Sequence, residues 1–376
     1  MLTQIYVICT ALNEWNKKKL LVKKNYYISI DDFADSCIDS QVKSLFTELV
    51  NDSAFVRLGK INFLGAINYK SNYRTKGIAT RYQHSLGVAK LALEYSKLSN
   101  LPSKDTKLLL ASALLHDIGH APLSHSMEPA FKEIFDINHH KAAESILKGS
   151  APIGKSLYKL LESHGITSEE VIELVDRKST ASYAFLFNSP INIDTIDGIL
   201  RAQALLNCNQ TLSPLTVLKS LIDTNIDNVF NLDLFWNAKD FVYKHIIFSP
   251  KFSNADKTSQ EYLRSNPDEF TRECFYKTEE QLKKSVPRLF NLINQSASKL
   301  NVETKSLKSR RFVIYGHIKT GSPNFLEERY KEIKEEKTLI SCTKHVFSYK
   351  TNYQQKKLWR DDDITKFNKK RTSIFA

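Results

Sequence analysis

Residues 106–116 carry Leu108, Leu109, Leu110, Ala111, Ala113, Leu114 and Leu115 with almost no polar face, and they end on His116-Asp117. An apolar run of that length reads as a helix enclosed by other elements rather than as a strand. Such a helix needs a large helical core around it, and this one carries an imidazole and a carboxylate into that core. Burying the pair is costly unless a metal ion or an opposite charge satisfies both groups. The chain continues Ile118-Gly119-His120-Ala121-Pro122-Leu123-Ser124-His125, and six of its ten histidines fall between His84 and His140. That clustering points to metal chemistry.

Composition narrows the setting. A 42% hydrophobic content is ample for a substantial core, and the formal charge of +13 favours anionic partners, either phosphorylated small molecules or nucleic acid. A Lys-rich solvated surface accounts for the same excess. Cys9, Cys37, Cys208, Cys274 and Cys342 are odd in number, scattered and without a CxxC pair, so they read as reduced thiols of a cytoplasmic protein. The mildly apolar residues 1–12 are too short for a membrane span and lack the basic start of a signal peptide.

The pattern predicts a mainly α protein. Residues 1–50 form a segment of unclear role, with a short strand over 28–30 and Asp31 as N-cap of a following helix. Residues 51–265 form the helical core. His84 opens a helix with Leu86, Val88, Leu91, Ala92 and Tyr95 inward, and Leu101-Pro102 closes that hairpin. Further helices are expected over 139–147, 194–206 and 217–248, the last closed by Ser249-Pro250, and the polar residues 251–266 are expected to be a loop. Residues 266–376 form a smaller α+β appendage with a basic tail. There a helix starts near Thr278 and breaks near Pro287, and strands over 311–318 and 338–349 flank a charged helix over 326–336.

Three ordered motifs then stand out: Arg81-Tyr82-Gln83-His84-Ser85-Leu86-Gly87-Val88, His116-Asp117-Ile118-Gly119-His120, and Asn192-Ile193-Asp194. Together they resemble the HD-domain metal-dependent phosphohydrolases. The Gly119, His120, Pro122, Ser124 and His125 extension is most similar to the deoxynucleoside triphosphate triphosphohydrolase-like branch. The resemblance spans about residues 55–256 and implies a helical HD core. It also implies one divalent metal held by His84, His116, Asp117 and Asp194. Two nitrogens and two oxygens suit Mn²⁺, Fe²⁺, Co²⁺, Ni²⁺ or Zn²⁺ better than Mg²⁺, which is the remaining option. Asp197, one helical turn after Asp194, competes for the ligand role or pairs with Arg201.

By the same resemblance, His120 and His139 are proton-transfer residues, and Arg81 and His125 face the substrate's phosphates. The glutamate that the family places after its second proton-transfer histidine is His140 here. Either His140 takes over that role or the relay works differently. The implied reaction is metal-dependent hydrolysis of a nucleotide, first of all a deoxynucleoside triphosphate, through attack of metal-activated water on phosphorus. Homo-oligomerisation is also implied. Departures weaken the substrate assignment: Phe63-Leu64-Gly65 replaces Gln-Leu-Gly, and Gly198 and Ala202 stand where the branch places an aromatic and an acid against the ribose. Turnover of mono- or cyclic nucleotides or nucleic-acid ends, a nucleotide-sensing module without turnover, and a nucleic-acid binder therefore remain as alternatives. Tyr243-Lys244-His245 reads either as a pocket wall or as a helix face packed on the core.

Overall fold

A computed structural model of the chain describes residues 26–69, 78–205, 212–295 and 306–338, the last stretch without 317, 319, 321 and 323. The N-terminal apolar segment, Cys9, Cys208, Cys342, the 338–349 strand beyond Thr338 and the basic tail lie outside the described residues. The fold is mainly helical. Its principal elements are α1 (Ile30–Ser36), α2 (Ser40–Asn51), α3 (Arg81–Leu98), α4 (Ser103–Leu115), α5 (Glu128–Phe135), α6 (His139–Leu147), α7 (Ile193–Leu205), α8 (Pro214–Ile222), α9 (Ile226–Val242), α10 (Pro250–Ser265), α11 (Glu279–Ser285) and α12 (Pro287–Gln295). An antiparallel hairpin of β1 (Ser306–Ile314) and β2 (Tyr330–Thr338) follows, with Phe312 opposite Glu332 and Arg310 opposite Lys334.

Sequence explains where these helices sit. Leu109 to Leu115 are all buried, so α4 is enclosed as its composition requires. Helix α3 starts at Thr80, whose side chain accepts from the Gln83 amide, and it buries Leu86, Val88, Ala89, Leu91 and Ala92. Gly87 is needed there, because a Cβ would lie 2.0 Å from Asp197 Oδ1 of α7. A second buried cluster joins Leu123, Met127 and Phe131 to Leu263, Phe275 and Phe290, so α10 to α12 pack against the loops around α5. Among the described residues no helix is long and apolar enough to cross a membrane.

Four expectations differ from the structure. Residues 28–30 form no strand: the Gln83 side chain takes the neighbouring strand's place, accepting from Ile28 N at 2.8 Å and donating to Ile28 O at 3.1 Å. Helix α1 begins one residue before Asp31, and Ser29 caps it. Residues 251–266 are helical rather than a loop. Phe252, Ala255, Ser259, Tyr262 and Leu263 recur at helical spacing, and that narrow buried stripe suffices although most other positions are polar. The charged helix over 326–336 stops at Arg329, and the chain continues as β2. Tertiary packing overrides local propensity there: Asp233 of α9 accepts from Arg329 Nε and Nη2 and from Tyr330 Oη, which seats the hairpin on that helix.

Candidate metal centre

Helices α3 and α4 bring His84, in the first turn of one, against His116 at the C-terminal end of the other. Their Nε2 atoms are 3.2 Å apart. The first turn of α7 adds Asp194, with Oδ1 at 3.1 Å from His84 Nε2 and 3.7 Å from His116 Nε2. Those three residues converge closely enough to hold one ion. Asp117 stands beside them, its carboxylate oxygens 3.6 Å from each of the two Nε2 atoms.

The outer partners fix the orientation of this group. His84 Nδ1 pairs with Asp197 Oδ2 at 2.7 Å, and His116 Nδ1 donates to the Ala113 carbonyl at 2.8 Å. Asp197 is in turn gripped by the fully buried Arg201 through Nε and Nη2, at 2.7 and 2.9 Å. The remaining Arg201 bonds reach the carbonyls of Tyr26, Ile78 and Gln83. Of the two candidate aspartates, then, Asp194 faces the convergent nitrogens and Asp197 orients a ring from behind.

With both Nδ1 atoms engaged as donors, the Nε2 atoms direct lone pairs at each other, a repulsive arrangement that a bound cation turns into two ligand bonds. Absent a cation, a proton must take that place. Burial opposes a charged His84, but Asp194 and Asp197 lift its imidazole to about 9. Burial would also raise the Asp117 carboxyl, yet Arg81 holds it well below the usual range. Two imidazole nitrogens and the Asp194 oxygen, with the Asp117 carboxylate beside them, therefore fit a divalent metal ion.

A second group lies beside the first. His120 Nε2 is 3.1 Å from Asp117 Oδ1, while its buried Nδ1 has no hydrogen-bond partner among the described residues. Burial, then the charge of Arg81, holds His120 well below its ordinary pKa, so it is a neutral base. The His139 ring stacks on it at 4.7 Å with a 6° interplanar angle. His139 Nδ1 pairs with Glu128 Oε1 at 2.6 Å, and His125 Nδ1 with Glu128 Oε2 at 2.9 Å. Although burial raises the Glu128 carboxyl, the hydrogen bonds from His125 and His139 hold it well below the carboxylate range. The His140 ring lies tilted against that of His139, with centroids 4.1 Å apart, but its Nδ1 turns to Asp176 at 3.5 Å and its side chain is 59% exposed. The carboxylate beside His139 is thus Glu128, which the sequence analysis did not single out. It sits three residues after His125, at the mouth of α5, and that i+3 spacing was its available signal.

Arg81 is buried beside Asp117, and His125 is exposed at the rim of this space. Arg81 Nη1 contacts Asp117 Oδ2 at 2.7 Å and its Nε donates to Ser124 Oγ, whereas His125 has a side chain 62% exposed. The connecting turn is strained, since Leu123 and Ser124 both have positive φ, 62° and 49°. Two buried charges hold it. Arg57 donates to the carbonyls of Ile118, His120 and Lys277, and Glu279 accepts from Leu123 N, Asn62 N, Asn62 Nδ2 and Tyr69 Oη. Both were invisible to motif reading because they lie far away in sequence. Phe63 packs on His84, with ring centroids 4.7 Å apart, and faces Gly198, so both departures from the family pattern meet at one wall of the site.

Comparison with known proteins agrees with this geometry. The HD domain family model matches residues 81–185. An uncharacterized Mycoplasma genitalium protein is 33% identical over 43% of this chain and 39% of its own length. An uncharacterized Mycoplasma pneumoniae homologue is 31% identical over 52% of the chain and 47% of its own length. A third, from Bacillus subtilis, is 27% identical over 42% of the chain and 35% of its own length. The matched region therefore spans less than half of each relative.

Proposed function

Taking the HD domain at residues 81–185 as premise, we propose that this chain is a metal-dependent phosphohydrolase acting on a nucleotide, first of all a deoxynucleoside triphosphate. The observation that carries the reading is the pair of imidazole nitrogens held 3.2 Å apart beside the carboxylates of Asp117 and Asp194. His84, His116, Asp117 and Asp194 would hold the ion, with Mn²⁺, Fe²⁺, Co²⁺, Ni²⁺ or Zn²⁺ preferred over Mg²⁺ on donor chemistry. When bound, such an ion neutralises phosphate charge and acidifies water.

The chain's own groups then take defined parts. Arg81, locked by Asp117 and Ser124, presents a preoriented cation to phosphate oxygens, and His125 offers its imidazole as a hydrogen-bonding group from the rim. The Glu128 carboxylate holds the His139 ring through Nδ1 at 2.6 Å, which fixes that ring for proton transfer at the leaving oxygen. His120, neutral and with one free lone pair, is suited to accept a proton. In the wall of Phe63 and Gly198, a phenylalanine takes the place of the branch's glutamine and a glycine that of its aromatic, which favours loose discrimination of the sugar.

The test is product release from a panel of deoxy- and ribonucleotides with Mn²⁺, resolving phosphate, pyrophosphate and triphosphate, with Asp117→Ala as control. Triphosphate from deoxynucleotides, absent in the control, supports the full reading. Monophosphate products keep the hydrolase and move the substrate. No turnover with any of the metals, together with nucleotide binding, overturns the hydrolase and leaves a sensor.

A further inference from the structure

One buried charge near this centre has no counterion. Lys239 of α9 is 6% exposed, and among the described residues its ammonium has no ion pair. Its hydrogen bond is a long one, 3.4 Å to the Pro190 carbonyl, and the nitrogen otherwise lies over the faces of Trp236 at 4.7 Å and Phe312 at 5.2 Å. An ammonium has three donors, and aromatic faces satisfy charge without accepting them strongly. The nearby carboxylates are committed elsewhere: Glu332 pairs with Arg310 at 3.3 Å and Asp194 with His84. Burying a cation in this state is costly and persists where something other than the fold uses it.

Its surroundings say what that use is. Tyr243, one turn further along the chain in the π-turn that follows α9, accepts a hydrogen bond from Arg310 Nη1 at 3.2 Å, and the Arg310 guanidinium lies 5.1 Å from the Tyr243 ring centre. Helix α9 packs against α7, and the Pro190 carbonyl that Lys239 reaches lies shortly before Asp194 in the chain, so this side of α9 adjoins the metal side of the pocket. Cations from α9 and β1 thus gather on the side of the fold where α9 meets both β1 and the helix that carries Asp194.

We propose that Lys239, Tyr243 and Arg310 form an anion-binding wall that receives the phosphate groups lying beyond the one attacked. The hairpin then belongs to the substrate site: Phe312 roofs the lysine and Arg310 faces the same anion. This deepens the phosphohydrolase reading and rests on it. The chemistry recognised is a chain of phosphates, whether a nucleoside carries it or it is free.

Binding of inorganic triphosphate and of orthophosphate to the full chain, with Mn²⁺ present, tests the wall without requiring turnover. We expect the wild type to bind triphosphate at least about tenfold more tightly than orthophosphate. Lys239→Met and Arg310→Gln should each weaken triphosphate about five- to tenfold and leave orthophosphate within about twofold, while Lys239→Arg retains most of the preference. Lys239→Met should melt no lower than wild type, because it removes an unpaired buried charge. A wild type without the preference overturns the wall, as do folded variants that bind triphosphate like wild type. A lowered melting temperature of Lys239→Met with unchanged triphosphate binding overturns it too and makes the lysine a packing group. Loss of triphosphate affinity in the variants of a chain that hydrolyses nothing sustains the wall and sinks the hydrolase. A deoxynucleoside triphosphate that follows the same ranking extends the wall to nucleotides. One whose affinity ignores both substitutions overturns the wall as a nucleotide site.

Discussion

At the scale of single residues, the centre depends on partners that hold rings from behind. Glu128 bridges His125 and His139 and touches none of the four candidate ligands, so its role separates from metal binding. Glu128→Gln should lower kcat about a hundredfold while elemental analysis finds the same metal content as wild type. An equal loss of metal would instead place Glu128 among the ligands. The ligand-type residues were readable in the sequence because His84, His116, Asp117 and Asp194 stand in short motifs at helix ends. Glu128 was not, since a glutamate before proline at a helix start is an ordinary N-terminal residue. Which group hydrogen-bonds His139, Glu128 rather than His140, is likewise decided by the direction of α6, which spacing alone does not give.

At the scale of elements, α6 reaches the centre because Gly119 has no side chain. A Cβ at Gly119 would lie 2.0 Å from the His139 carbonyl oxygen and 2.5 Å from Ala143 N, both backbone atoms. Gly119→Ala should therefore cost about 1–3 kcal/mol in urea unfolding through overpacking, and it should reduce kcat by more than that loss of stability explains. Activity that stays at the wild-type level would show that His139 does not need its present distance from His120. The hairpin is anchored differently, by one carboxylate. Arg329→Ala removes both guanidinium bonds to Asp233 and should destabilise the chain by about 3–5 kcal/mol, measured by the same unfolding. Buried helices such as α4 were legible from composition. The hairpin was read in part as helix because Glu327, Glu328, Lys331, Glu332 and Lys334 look helical until Arg329 and Tyr330 find Asp233 across the fold.

At the scale of the whole molecule, stability and pH are linked through Lys239. Burial lowers its ammonium from the ordinary 10.5 to about 8, with Arg310 and Arg177 acting in the same direction and Glu332 and Asp194 against it. Between pH 8 and 10.5 the unfolded chain keeps this proton and the folded chain does not. Folding stability from this residue therefore rises with pH across that window, by roughly 3 kcal/mol in all. Urea unfolding of wild type and Lys239→Met at pH 7.5 and 10 should show the difference between them shrinking at the higher pH. A constant difference would mean the lysine is solvated. Nothing in the sequence marked Lys239, because its environment joins Trp236, one turn earlier on α9, to residues 190 and 312, which only the folded chain brings there.

The bonds of Glu279 set an order of events during synthesis. Its carboxylate ties down Asn62, 217 residues earlier, together with the strained turn at Leu123. A ribosome making this protein releases every candidate ligand long before it releases the residue that closes the turn beside them. The nascent chain can form α3 and α4 from local contacts, but the pocket takes its final shape only after α11 emerges. Until then the histidines stand in an unfinished site, exposed to whichever cation the cell offers first.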